Sequence, residues 1–359
     1  MRQTLCYIPE TLFGLPLFGW GLGLGLLLVA IILSHIYQYV KHRKINDIGG
    51  SIALLVIGGM MLIFVLPHLV KPGLGVPIRG YGFCLLLAVL AAWALVVHLA
   101  KRQNIPTEKI VSLCFWAIIA GILGARLFYV TEYWNEMLRF DPKGDLLLLE
   151  SLQSVFNFPD GGLTVFGSVL GGMLGAVIFM IRNKMPVLRT FDILATAVPL
   201  GMAIGRIGCL LNGCCFGGVT DSAWGIIFPV GSPAHFHQVF HGLVPEESGL
   251  VLPVHPTQIY SSMLALLLCG TLLFLGKLRF YQQRDGLLFA SFMILYSVGR
   301  FCIEFVRTDE DSFFGTGLTV SQNVSIAFGL AGVILFMFIC RRQRAASRTQ
   351  RNLRVSPPM

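Results

Sequence analysis

The chain has 359 residues, 55% of them hydrophobic and only 13% charged, with a mean hydropathy of +0.75. That leaves too little polar surface to solvate a globule of this size, and several runs reach the ~20 apolar residues that cross a bilayer, so a soluble enzyme or binding module is excluded. The net charge of +9 argues for no nucleic-acid partner, because the basic residues fall in every second connection between apolar runs rather than on one face.

In chain order the apolar runs lie at about 15–38, 50–70, 80–100, 110–130, 162–182, 190–211, 257–276, 286–306 and 319–340. Backbone polar groups in lipid must be satisfied within their own segment, and these runs lack the alternation of barrel strands. The expected class is therefore all-α, a polytopic integral membrane protein of about nine transmembrane helices. Lys41, Arg43 and Lys44 follow the first span, Lys101, Arg102 and Lys109 the third, Arg182, Lys184 and Arg189 the fifth, and Lys277, Arg279 and Arg284 the seventh. Six arginines from Arg341 to Arg354 follow the last. The positive-inside rule puts these connections in the cytoplasm, the N-terminus outside and the C-terminus inside. The first apolar run continues to the length of a permanent span, so no cleavable leader is expected.

The turn-forming string Lys71-Pro72-Gly73-Leu74-Gly75-Val76-Pro77 divides an appended two-helix module, 1–75, from a seven-helix core, 76–345, and a basic tail, 346–359, closes the chain. The outward connection 131–160 holds an apolar stretch, 146–156, too short to span and suited to an amphipathic helix in the headgroup layer. A larger outward insert, 212–256, carries His235, His237 and His241. His237 and His241 share a helical face and Cys214 and Cys215 lie in the same segment, so zinc is conceivable, but the spacing matches no strong zinc pattern and no metal is assigned. Six of the nine cysteines are scattered singly and read as small buried hydrophobes. Cys209, Cys214 and Cys215 cluster, and a disulfide, a reactive thiol or small-residue packing beside glycine all fit them.

The run from Gly201 to Gly217 carries Arg206 inside apolar sequence. A guanidinium keeps its proton in a protein, so Arg206 must face an anion, a water-filled cavity or a headgroup. Gly205 and Gly208 remove bulk beside it, though glycine as a helix-packing spacer with a snorkelling arginine is the structural alternative. Downstream, Tyr296, Arg300 and Glu304 recur at four-residue spacing and form a polar stripe on an apolar helix. Arg300 and Glu304 can pair while Arg300 keeps donors for a second anion. His255 stands just before Pro256 at the outer start of a span, with a pKa range suited to accepting a proton near neutrality. These groups suit a phospholipid phosphate.

The same residues resemble the bacterial prolipoprotein diacylglyceryl transferases. The resemblance covers about 80–340 and rests on ordered motifs: Arg79-Gly80-Tyr81-Gly82, Asp160-Gly161-Gly162-Leu163, Gly205-Arg206-Ile207-Gly208, Asn212-Gly213, His255-Pro256-Thr257-Gln258-Ile259-Tyr260, and Tyr296 through Arg307. It implies transfer of a diacylglyceryl group from phosphatidylglycerol to the lipobox cysteine thiol of a preprolipoprotein, forming a thioether. It also implies a multi-pass protein of the bacterial inner (cytoplasmic) membrane whose partners are membrane lipids and preprolipoprotein signal peptides. No cofactor and no metal are implied. Arg206, Arg300, Glu304 and His255 are then the expected catalytic groups, with Glu304 orienting Arg300. Tyr81, Asn212, Gly205, Gly208, Gln258, Tyr260, Tyr296 and Arg307 are the expected substrate-binding set.

The chain departs from the family pattern at Phe166, where the histidine of the Asp-Gly-Gly turn is expected, at Cys209 and Cys214, which replace Asn and Glu, and at Gly218, where Arg is common. The proton acceptor is then His255 or Glu304. Two alternatives stand beside transfer: a membrane thiol oxidoreductase using Cys209, Cys214 and Cys215, and a non-catalytic phospholipid-binding paralogue.

Overall fold

In the computed structural model, residues 4–9, 11–12, 15–16, 25–29, 31–33, 70, 74–138, 147, 151, 155, 162, 164–307 and 317–355 are described. The expected spans at 15–38 and 50–70 lie mostly outside the described residues, as does most of the amphipathic stretch 146–156. The elements are β1 (Thr4–Ile8), β2 (Thr11–Leu12), β3 (Leu15–Pro16), β4 (Val76–Arg79), α1 (Gly80–Arg102), α2 (Thr107–Glu132), α3 (Trp134–Met137), α4 (Val165–Arg182) and α5 (Val187–Asn212). They continue with α6 (Pro233–Phe240), α7 (Thr257–Leu275), α8 (Arg279–Gln282), α9 (Leu287–Glu304) and α10 (Val320–Val355). Among the described residues, six helices are long and apolar enough to cross a membrane: α1, α2, α5, α7, α9 and the Val320–Arg342 part of α10. Residues Phe166–Arg182 of α4 form a shorter apolar helix. All seven core helices thus stand where the apolar runs put them. Their outward faces stay apolar, with Leu127, Leu170, Leu174 and Leu267 all exposed, as a lipid-facing surface requires.

Two compact units divide the described chain. The first comprises Met1–Leu86 and Ile207–Val254. Its strand β1 pairs antiparallel with β4 through a bulge between Thr4 and Cys6. The insert in this unit closes over Phe216, Phe228, Ala234 and Val254.

The second unit, Leu87–Arg206 with His255–Met359, contains an internal repeat. The burial pattern of residues 91–110 recurs position for position at 171–190, an offset of 80 residues, although only Val97/Val177, Arg102/Arg182 and Pro106/Pro186 are identical. Each copy turns in the same way. Asn104 and Lys184 both take positive φ, at 56° and 52°, and the next amide bonds back to a helix carbonyl, Ile105 to Ala100 at 3.0 Å and Met185 to Met180 at 2.9 Å. These five-residue back-bonds are Schellman closures that satisfy the last carbonyls of α1 and α4. The two copies share one core, with Val96, Ala100, Ile105, Ile110 and Leu113 from the first and Ala176, Met180, Met185, Ile193 and Ala197 from the second.

Small residues bring the repeated helices together. A Cβ on Gly124 would stand 2.5 Å from the Gly167 carbonyl, and one on Gly171 would stand 2.5 Å from that of Ala120, so α2 and α4 cross backbone to backbone. The contact recurs at the same offset, where Gly121 faces the Ser168 carbonyl and Gly201 that of Ala88. With no hydrophobic drive between helices in lipid, such close van der Waals packing and carbonyl contact hold spans together.

Helices α7 and α9 are tied to α5 by polar links. Ser262 of α7 donates to the Ala203 carbonyl at 2.8 Å, and the Cys269 thiol to that of Thr196 at 3.5 Å. The buried Asp192 carboxylate near the start of α5 accepts from the amides of Gly286 at 2.6 Å and Phe289 at 2.8 Å. That caps α9 with a side chain from another helix, satisfying two of its orphan donors. Gly286 sits at φ 89°, and a Cβ there would press on Leu188 and Ile339, so only glycine fits. Replacing Asp192 with alanine leaves both amides buried without an acceptor and should cost about 2–4 kcal/mol, read as a lower unfolding midpoint of the detergent-solubilised chain.

Candidate active site

Arg206 near the end of α5, Ser261 and Leu264 of α7, and Tyr296, Arg300 and Ile303 of α9 line one narrow cleft. Both arginines therefore face the same space, as their place in apolar helices demanded. About 30 Å³ is free in it, room for a water or two. A Cβ on Gly205 would meet nothing within 4 Å. Space beside Arg206 is thus open on that side.

The two guanidiniums differ in how they are held. Arg300 Nη1 lies 2.7 Å from Glu304 Oε2, with the side chains 16% and 1% exposed. Arg300 Nη2 donates to Ser321 Oγ at 2.8 Å. Glu304 Oε1 accepts from Thr319 Oγ1 at 3.3 Å, and Thr319 in turn exchanges bonds with Gln322, its amide donating to Gln322 Oε1 and its hydroxyl accepting from the Gln322 amide. That reciprocal pair is a capping box at the start of α10, so the helix start fixes Thr319, Thr319 fixes Glu304, and Glu304 fixes Arg300. Arg206, by contrast, makes no ion pair or hydrogen bond among the described residues. The pair therefore combines one oriented cation with one whose donors are uncommitted.

The other expected residues separate into groups. In the second unit, His255 Nδ1 lies 3.4 Å from the Tyr260 hydroxyl, Gln258 is 1% exposed inside the start of α7, and Arg307 follows α9 with its amide bonded to the Glu304 carbonyl. In the first unit, Tyr81 lies against Gly208, and Asn212 lines a cleft of about 560 Å³ with Thr4 to Tyr7 and Phe228 to Ser232. Phe166 stands 48% exposed near the start of α4 and offers no proton acceptor there.

The Asn212-Gly213 motif has a backbone reason. Gly213 takes φ 78°, its amide bonds the Leu210 carbonyl at 3.3 Å, and the Cys214 amide bonds the Cys209 carbonyl at 3.2 Å. This Schellman closure ends α5 and folds Cys214 back over Cys209. Cys215 follows with φ 58°. The Sγ atoms of Cys209, Cys214 and Cys215 lie within 4.8 Å of one another, with none of the three in a disulfide. For the Cys214 thiol, Cys209 pulls the pKa down, but Cys215 and burial outweigh it and leave it above the ordinary value. His237 and His241 share a helical face as expected, ring centroids 4.3 Å apart, yet neither joins the sulfur group.

One arginine escaped the sequence reading. Arg126 of α2 is 6% exposed; its guanidinium donates to the carbonyls of Val155 at 2.8 Å and Gly162 at 3.1 Å and lies 5.4 Å from the Tyr129 ring centre. It stands 80 residues before Arg206 and is its counterpart in the repeat. The signal was present in Gly124-Ala125-Arg126, an arginine in an apolar run as at Arg206.

Comparison with known proteins gives this arrangement a family. The family model described as prolipoprotein diacylglyceryl transferase matches residues 67–338. A relative from Rhodopirellula baltica, named phosphatidylglycerol-prolipoprotein diacylglyceryl transferase, is 28% identical over 94% of this chain and 89% of its own length. One from Clostridium perfringens, carrying that name with the number 2, is 32% identical over 73% of this chain and 91% of its own. One from Synechococcus elongatus with the same name is 32% identical over 75% and 86%. With its motifs in sequence order from Arg79 to Arg307 and more than half its length matched, the chain belongs to the prolipoprotein diacylglyceryl transferase family.

Proposed function

We propose that this chain transfers a diacylglyceryl group from phosphatidylglycerol to the lipobox cysteine thiol of preprolipoproteins at the outer face of the bacterial inner membrane. The observation that carries the reading is the cleft where Arg206, free of protein partners among the described residues, faces the same space as Arg300. Family membership supplies the reaction class. The proposed topology is the one the charge pattern implies, nine spans with the N-terminus outside and the basic tail in the cytoplasm.

The chemistry is a displacement at carbon. The acceptor thiol loses its proton, sulfur attacks the terminal glyceryl carbon, the C–S bond forms, and the C–O bond breaks with its electron pair leaving on glycerol phosphate. The lipid phosphodiester carries one negative charge, and the departing phosphate monoester gains a second as the bond breaks. Two guanidiniums aimed at that phosphate bind the transition state more tightly than the bound lipid, because the charge they neutralise grows along the reaction. Glu304 is committed to Arg300 and Thr319 in this arrangement, which leaves His255, half-buried beside Tyr260, as the proposed proton acceptor. Tyr296 lines the cleft as a headgroup donor.

Arg206→Lys and Arg300→Lys should each lower kcat/KM by about 10²-fold or more, because an ammonium keeps the charge but loses the planar fork of donors. Transfer from radiolabelled phosphatidylglycerol to a lipobox peptide measures this, and near wild-type rates in either variant would remove the phosphate role. Glu304→Gln should lower kcat while KM changes little, since Arg300 loses its anchor rather than its charge. If the variant kept full kcat, the anchoring role assigned to Glu304 would fail.

A further inference from the structure

We infer that Cys209, Cys214 and Cys215 bind a zinc(II) ion through three thiolates and leave its fourth position open for an exogenous thiolate. The last turn of α5 and its Schellman closure bring Cys214 back over Cys209, and Cys215 completes the group from a left-handed conformation that a non-glycine residue rarely adopts. Strain of this kind persists where a side chain must point one way, and here the three Sγ atoms converge within 4.8 Å. A tetrahedral ion with Zn–S bonds of about 2.3 Å sets its sulfurs about 3.8 Å apart, so small side-chain rotations close the site. A set of soft sulfur donors selects a thiophilic cation over magnesium or calcium.

Three protein ligands rather than four make the pattern of a zinc site that keeps a position for substrate. Binding releases three thiol protons and leaves the complex with one negative charge and water in the fourth place. An incoming thiol displaces that water and releases its own proton to solvent, so it binds as thiolate, the nucleophilic form. On the transferase reading proposed above, the acceptor lipobox cysteine is such a thiol.

The full-length chain, purified in detergent under reductant and stripped of metal, is titrated with cobalt(II) as a spectroscopic probe. One equivalent should raise thiolate-to-cobalt charge-transfer absorption and tetrahedral d–d bands, and zinc(II) should abolish both. Cys209→Ser, Cys214→Ser and Cys215→Ser should each weaken zinc by roughly 100-fold or more, one thiolate bond being lost. In the unmutated chain zinc should shield these three thiols from maleimide while leaving exposed Cys6 of β1 reactive, a readout that does not depend on the variants folding. A lipobox peptide should shift the cobalt spectrum, and its serine analogue should not. The site is overturned by the absence of a cobalt–thiolate band, by binding of copper(I) with zinc refused, or by a disulfide among the three in protein purified without reductant. An unshifted spectrum with the cysteine peptide overturns the open position. Transfer assayed on the same samples separates the two readings: transfer without a cobalt band sinks the zinc site alone, and a cobalt band without transfer sinks the transferase reading alone.

Discussion

A single buried carboxylate sets the level at which the two cleft arginines meet. Asp192 caps α9 from the start of α5, holding Gly286 and Phe289 by their amides. Arg206 stands fourteen residues beyond Asp192 and Arg300 fourteen beyond Gly286. At 1.5 Å per residue both lie about 21 Å along their helices from the shared anchor. Two helices pinned together at their starts and running the same way therefore carry their cations to the same depth. Gly286 allows this because any side chain there would push Leu188 and Ile339 apart.

The cations are then treated unequally, and the inequality follows from the cost of burial. A guanidinium in an apolar helix cannot shed its charge, and leaving it unpaired in a closed interior costs several kcal/mol. Arg300 meets that cost through Glu304 and Ser321, and the carboxylate is itself held by the capping box of α10. Arg206 stays half-exposed in the cleft instead, so its donors are not spent on the protein. On the transferase reading proposed above, an oriented cation beside an uncommitted one suits a ligand whose charge rises during reaction, because the second could tighten onto a phosphate as the first held the register.

The internal repeat shows how one position came to serve two ends. Arg126 and Arg206 occupy equivalent places on α2 and α5, and both follow the same close helix crossing. Arg126 is turned onto backbone carbonyls at Val155 and Gly162 and holds the connection into α4. Arg206 faces the cleft. What differs is the surroundings each helix end meets, since Ala125 precedes the first arginine and Gly205, with open space at its Cβ, precedes the second.

Hydropathy alone located all seven core helices, because the need to satisfy backbone groups in lipid leaves an apolar run no alternative to a helix. The Arg300–Glu304 pair was legible too, since four-residue spacing on a helix fixes neighbours without tertiary help. Arg206 stood out as a permanent charge in apolar sequence, and the structure places it on the cleft it shares with Arg300. The repeat was not legible: its copies share burial and turn geometry but only three identities over twenty positions, and burial is a property of packing rather than of residue type. Asn212-Gly213 read as a motif and proved to be a helix closure as well, and Cys209 and Cys214, five apart, came together only through the left-handed turn at Gly213. Relations between residues distant in sequence, such as the Asp192 bond to Gly286 and the placing of Arg206 and Tyr296 on one cleft, were decided by helix packing, which depends on shapes summed over many side chains and carries no local periodicity to read.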